Sequence, residues 1–176
     1  MSARRRPYFL MMLAVVGLDQ ATKWLVDRVM DLHESRVVIE GLLSLTYVQN
    51  RGAAFGVLSD AELPYQAILF SLVSILALGA IAAYAWRLPA ASRLPQTALA
   101  LIMGGALGNL FDRARLGYVV DFVDVFWGAH HWPAFNVADS AISVGVGLLI
   151  LDMVLSPESG QTVAAEVGAP PLAGSE

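Results

Sequence analysis

The sequence predicts a membrane protein, mainly α-helical, with four transmembrane helices and a small β-sheet outside the bilayer. Three observations carry that prediction. The chain is 57% hydrophobic and only 15% charged, whereas a soluble domain is about 45–50% apolar and about 25% charged. Its mean hydropathy is +0.61. Its long apolar runs recur with polar or basic segments between them, and at ~20 residues per crossing four spans use about half of the chain. One membrane domain, residues 1–155, is expected, followed by a tail at 156–176. The net charge of −4, with no basic run beyond Arg4-Arg5-Arg6, argues against a nucleic-acid partner. The absence of cysteine removes disulfides, thiolate metal sites and a cysteine nucleophile together.

Residues 8–26 read as the first span. A basic head followed by an apolar run also suits a cleaved signal peptide, but no small-x-small site follows Leu18. Asp19, Gln20 and Lys23 come instead, with Trp24 fit for the interface. Arg4 to Arg6 place the start of this span in the cytoplasm. Asp19 and Lys23 are four apart and share a helix face. They read equally as a neutralised packing pair and as part of a reacting centre.

Residues 27–63 are polar and mixed. Leu43, Leu45 and Tyr47 alternate with Ser44, Thr46 and Val48, which is strand periodicity. Val37 to Ile39 is a partner strand, with Glu40-Gly41 as its turn. Asn50-Arg51-Gly52 reads as a further turn, and 53–58 as apolar surface beside it. From pattern alone Asn50 is first a turn former.

Residues 64–86 make an uncharged second span. Arg87 and Arg93 flank a loop that returns the chain to the cytoplasm. The third span covers about 96–111, where Gly104 and Gly108 allow close helix approach. Asn109 and Arg113 share a face, and Asp112 has Arg115 as a candidate partner. Residues 116–133 read as a loop with interfacial Trp127, His130, His131 and Trp132. The fourth span is about 136–155, with Asn136, Asp139, Ser140 and Ser143 on one face. Asp139 lies in its first turn, where any acid complements the helix dipole. The tail at 156–176 is rich in Gly, Pro, Ala, Ser and Glu, a disordered composition. Both termini are then expected in the cytoplasm.

This topology brings Asn109, Arg113, Asp121, Asn136 and Asp139 to the outer surface, with Asp19, Lys23 and Asn50 towards the same side. Ionisable groups within a bilayer are costly and point to function. Asp121 and Asp139 are the candidate catalytic pair. Two carboxylates held close do not both ionise cheaply, so the pair offers an acid and a base at one pH. That suits water attack on an amide carbonyl and protonation of the leaving amine. A Ser/Lys dyad of Lys23 with Ser140 or Ser143, and a metal site from Asp121, Asp139, His130 and His131, remain alternatives on residue type; the histidine spacing matches no helix-borne metal motif. A proton-coupled transporter and a non-catalytic scaffold are the readings from other classes.

The segments LDQATK (18–23), QNRGAAFG (49–56), GGALGNLFDR (104–113), GYVVDF (117–122) and FNVADS (135–140) resemble, in order, the motifs of the lipoprotein signal peptidases, or signal peptidase II. The resemblance spans roughly residues 8–155. It implies a four-span aspartic peptidase of the bacterial inner membrane, with its sheet (about 35–58) and its site on the periplasmic side. It implies cleavage of diacylglyceryl-modified prolipoproteins just before the lipidated cysteine. Asp121 and Asp139 would be the catalytic dyad, and Asn50, Asn109, Arg113 and Asn136 the residues lining the substrate site. Asp19, Lys23 and Gly52 would support them. Expected partners are the diacylglyceryl-prolipoprotein and membrane lipid, with no obligatory protein partner, no cofactor and no metal.

Overall fold

The computed structural model describes residues 5–52, 65–89 and 91–155. The elements run α1 (Arg6–Val29), β1 (Ser35–Ile39), β2 (Leu43–Asn50), α2 (Gln66–Arg87), α3 (Arg93–Leu116), β3 (Val119–Trp127), β4 (His130–His131) and α4 (Val137–Leu155). All four helices are long and apolar enough to cross a membrane. The expected apolar surface at 53–58 and the tail at 156–176 lie outside the described residues.

Helix α3 is the centre of the bundle, packed against α1, α2 and α4. Its glycines set those distances. A Cβ at Gly104 would stand 2.8 Å from the Val15 side chain of α1, and one at Gly105 would strike the Ala138 carbonyl of α4. Only small residues allow backbones this close. Pro7 opens α1, where its missing N–H costs no helical bond. Gly117, with φ +81, closes α3 by donating its N–H to the Arg113 carbonyl, a left-handed cap that needs glycine. The helix thus runs past the expected end near 111, because this cap ends it and its polar side chains do not.

The start of α1 and the end of α2 meet at one end of the bundle. Arg5 Nη2 donates to the carbonyls of Trp86 (2.9 Å) and Leu88 (3.0 Å). A cation there complements the carbonyl end of the helix dipole. The sheet covers the opposite end. It is antiparallel in the order β1-β2-β3-β4. Val26 and Met30 at the end of α1 pack with Tyr47, Val120 and Phe122 of the sheet. The Tyr47 hydroxyl donates to Asp27 (2.6 Å); burial and that carboxylate push the phenol's pKa up.

Two expectations are corrected. Residues 116–133 are not a loop, because β3 and β4 occupy most of them. Val, Phe and Trp dominate 119–127, as a strand requires, and the acids at 121 and 124 masked the alternation. The alternation expected in 43–48 also fails to hold. Ser44, Tyr47 and Asn50 are the buried residues of β2, because the β2–β3 register shifts between Leu45 and Val48. An extra residue there moves later side chains to the other face.

Candidate active site

The site is assembled where α4 begins. Phe135 is strapped to β3: its carbonyl accepts from the Phe122 and Val123 N–H groups (3.0 and 2.8 Å), and its own N–H donates to the Val123 carbonyl (3.1 Å). Asn136 follows and caps the helix. Its Oδ1 accepts from the Asp139 N–H (2.9 Å), while Asp139 Oδ2 accepts from the Asn136 N–H (3.3 Å). This is a reciprocal capping box, which satisfies donors that a helix start leaves unpaired. The helix-start reading of Asp139 is therefore correct.

The other end of the same amide reaches the second carboxylate. Asn136 Nδ2 lies 2.6 Å from Asp121 Oδ1, 3.1 Å from Asn109 Oδ1 and 3.2 Å from the Val120 carbonyl. Asp121 sits opposite Val48 in the sheet, and Asn50 opposite Val119, so Asn50 and Asp121 are diagonal neighbours. Asn50 Nδ2 donates to Asp121 Oδ2 (2.9 Å), and its Oδ1 accepts from the Gly52 N–H (2.8 Å). The expected turn at Asn50 forms, and the residue also holds a carboxylate. Asp121 is 2% exposed. Burial first, and the negative charge of Asp139 second, push its pKa up to about 7; the Asn50 and Asn136 hydrogen bonds and the charge of Lys23 oppose this.

Asp139 Oδ1 accepts from Asn109 Nδ2 (2.8 Å). The orientation of that amide is fixed by Lys23, whose Nζ donates to Asn109 Oδ1 (2.8 Å) and can only donate. Lys23 also pairs with Asp19 (2.9 Å) and Asp112 (2.8 Å), and all three are almost fully buried. Asp112 thus faces Lys23, and its expected partner Arg115 is replaced. Arg115 lies three positions further along α3 and is exposed. Arg113 Nη2 donates to the Gly52 carbonyl (3.0 Å), with the guanidinium over the Phe70 ring. Among the described residues nothing accepts from the buried Arg113 Nε.

Two cavities flank Asp139. One of about 450 Å³ is lined by Asn50, Asp121 and Asp139, with Trp132, Phe135 and Ser143. The other, about 190 Å³, is lined by Asn50, Asn109, Arg113 and Asp139, with Phe70 and Ser74 of α2. Asn50, Asn109, Arg113, Asp121, Asn136 and Asp139 are therefore brought together, with Gly52 behind Asn50 and the Asp19–Lys23 pair behind Asn109. The histidines are not. His131 stacks on Phe126 and hydrogen-bonds Asp124 (2.9 Å), three positions from Asp121 and so on the other strand face. Sequence reasoning missed the bonds of Asp112 to this centre, and Gln20, whose Nε2 donates to Asp112 (2.9 Å) and Asp19 (3.1 Å). The need of a buried acid for a cation was the available signal.

Fold and site define a class: a multi-pass membrane protein with two amide-held aspartates under a small sheet at one end of its helices. A family model described as Signal peptidase (SPase) II matches residues 11–155. The lipoprotein signal peptidase of Geobacter sulfurreducens is 58% identical over 142 residues, covering 81% of this chain and 88% of that one. That of Geobacillus thermodenitrificans is 44% identical over 155 residues, covering 87% and 94%. A solved bacterial membrane enzyme superposes with a TM-score of 0.77 at 32% identity, over 87% of this chain and 90% of the other. The chain belongs to the signal peptidase II family of peptidases.

Proposed function

We propose that the protein is an intramembrane aspartic endopeptidase that removes the signal peptide from diacylglyceryl-modified prolipoproteins, cleaving before the lipidated cysteine. The observation that carries this is the shared cavity of Asp121 and Asp139, with Asn136 bonded to both. One proton is held between the two acids, and Asp121, with a pKa of about 7, keeps it up to about that pH. Asp139 then takes a proton from water as that water attacks the scissile carbonyl, and Asp121 protonates the departing amine. The amide C–N bond breaks, and a carboxyl and an amine form. Among the described residues the Arg113 Nε–H has no acceptor, and serving a substrate carbonyl would give it one, which favours substrate positioning over a purely structural role. The cavities on either side of Asp139 give an extended peptide a path across it, with acyl chains entering from the bilayer.

The arginine-bearing end, with Arg5, Arg6, Arg87 and Arg93, lies in the cytoplasm of the bacterial inner membrane by the positive-inside rule. The sheet and the site are then periplasmic. The test is cleavage of a diacylglyceryl-modified prolipoprotein by purified protein. Asp121→Asn and Asp139→Asn each abolish it, and a chelator does not. Turnover surviving Asp139→Asn sinks the dyad, and chelator-sensitive turnover favours a metal.

A further inference from the structure

We infer that the buried cluster Asp19–Lys23–Asp112 positions both reacting aspartates, and that Asp112 is a positioning residue of this site. A cluster serving only to neutralise Lys23 needs one acid, and here there are two. Their remaining hydrogen bonds go to informative places. Asp112 Oδ2 accepts from the backbone N–H of Val120 (3.2 Å), the residue before Asp121. Asp19 Oδ1 accepts from the backbone N–H of Ala138 (3.0 Å), the residue before Asp139. The third Lys23 donor goes to Asn109, whose amide holds Asp139 itself. Lys23 has three donors, and each leads through one side chain to a reacting aspartate or its neighbour. Strand β3 and helix α4 are thereby tied to one ammonium group on α1. The cluster is also closely backed, since a Cβ at Gly108 would stand 2.5 Å from Asp19 Oδ2.

This inference rests on Asp121 and Asp139 being the reacting pair. Its test measures kcat and KM on a lipidated peptide, normalised to the enzyme that binds a non-cleavable analogue. Asp112→Ala frees the Val120 N–H and is expected to lower kcat about 100-fold with KM unchanged, as misplacement of a reacting group does. Asp112→Asn retains an acceptor and is expected to recover a large part of that loss. A kcat per binding-competent enzyme equal to the parent's in Asp112→Ala overturns the inference, as does an Asn variant no better than the Ala one. Should Asp112→Ala yield no folded protein, Asp112→Asn decides alone: kcat about 10-fold down at constant KM supports the clamp, and an unchanged kcat overturns it. Failure of the dyad reading looks different, because cleavage then survives Asp139→Asn.

Discussion

Helices α2 and α3 have similar lengths and opposite surroundings. The most apolar window of α2 has a mean hydropathy of 2.3, and none of it is buried. The corresponding window of α3 has 1.3, and 56% of it is buried. In water the more hydrophobic helix would be the inner one. In a bilayer lipid tails serve an apolar side chain as well as another helix does, so close packing and polar contacts decide what lies inside. Helix α3 supplies both, with Gly104, Gly105 and Gly108 for approach and Asn109 and Asp112 for bonds across to α1, β3 and α4. Helix α2 fully buries Gln66, lays a half-buried stripe that includes Phe70, Ser74, Leu78 and Ile81 against the bundle, and turns the rest of its surface outward.

The largest break in this contrast is expected from Gly105→Val. The new side chain meets the Ala138 carbonyl and Ile142, which separates α3 from α4 and Asn109 from Asp139. Loss of about 3 kcal/mol or more, with no cleavage, is the expected result of a thermal melt in detergent and an activity assay. Parent-like melting would mean that the two helices are not in contact there.

An intermediate effect concerns the polar interior. The folded pKa of Asp121 is about 7, above the unfolded value near 3.9. The folded state therefore binds more protons between these values. The stabilisation is fully present below about pH 4 and is lost as pH rises through about 7. Asp121→Asn has no such loss, so its Tm minus the parent's should grow from pH 5 to pH 8, by an amount equivalent to a few kcal/mol. A difference independent of pH would contradict the raised pKa.

The smallest effect is expected from Leu76→Ala, in the exposed face of α2. Stability should stay within about 0.5 kcal/mol and turnover should be unchanged. A loss comparable to that at Gly105 would place α2 inside an assembly.

The same contrast explains what was readable in the sequence. The spans follow from hydropathy and the β1–β2 hairpin from its strand-forming residues and the Glu40-Gly41 turn, which are local, although the buried face of β2 is not the alternating one. The polar residues of 104–139 are recognisable as costly; with Asn50, five of the named site residues line the two cavities, and Asn136 bonds Asp121 and Asp139 from behind. Strand β3 was hidden because Asp121 and Asp124 interrupt its apolar pattern on opposite faces. Helical spacing offers Asp112 only the nearer Arg115, because it shows only neighbours on one helix. Its partner Lys23 lies on another helix, 89 positions earlier in the chain, and that contact depends on how closely Gly104 and Gly108 let α1 approach.

Asn136 serves as the cap of α4 and as the link between the two acids. The fourth span thus carries the joining amide and one of the acids together. A nascent chain with three spans inserted holds Asp121 alone, without Asn136 or Asp139. On the proposed dyad, cleavage is therefore expected only once the fourth span is in place.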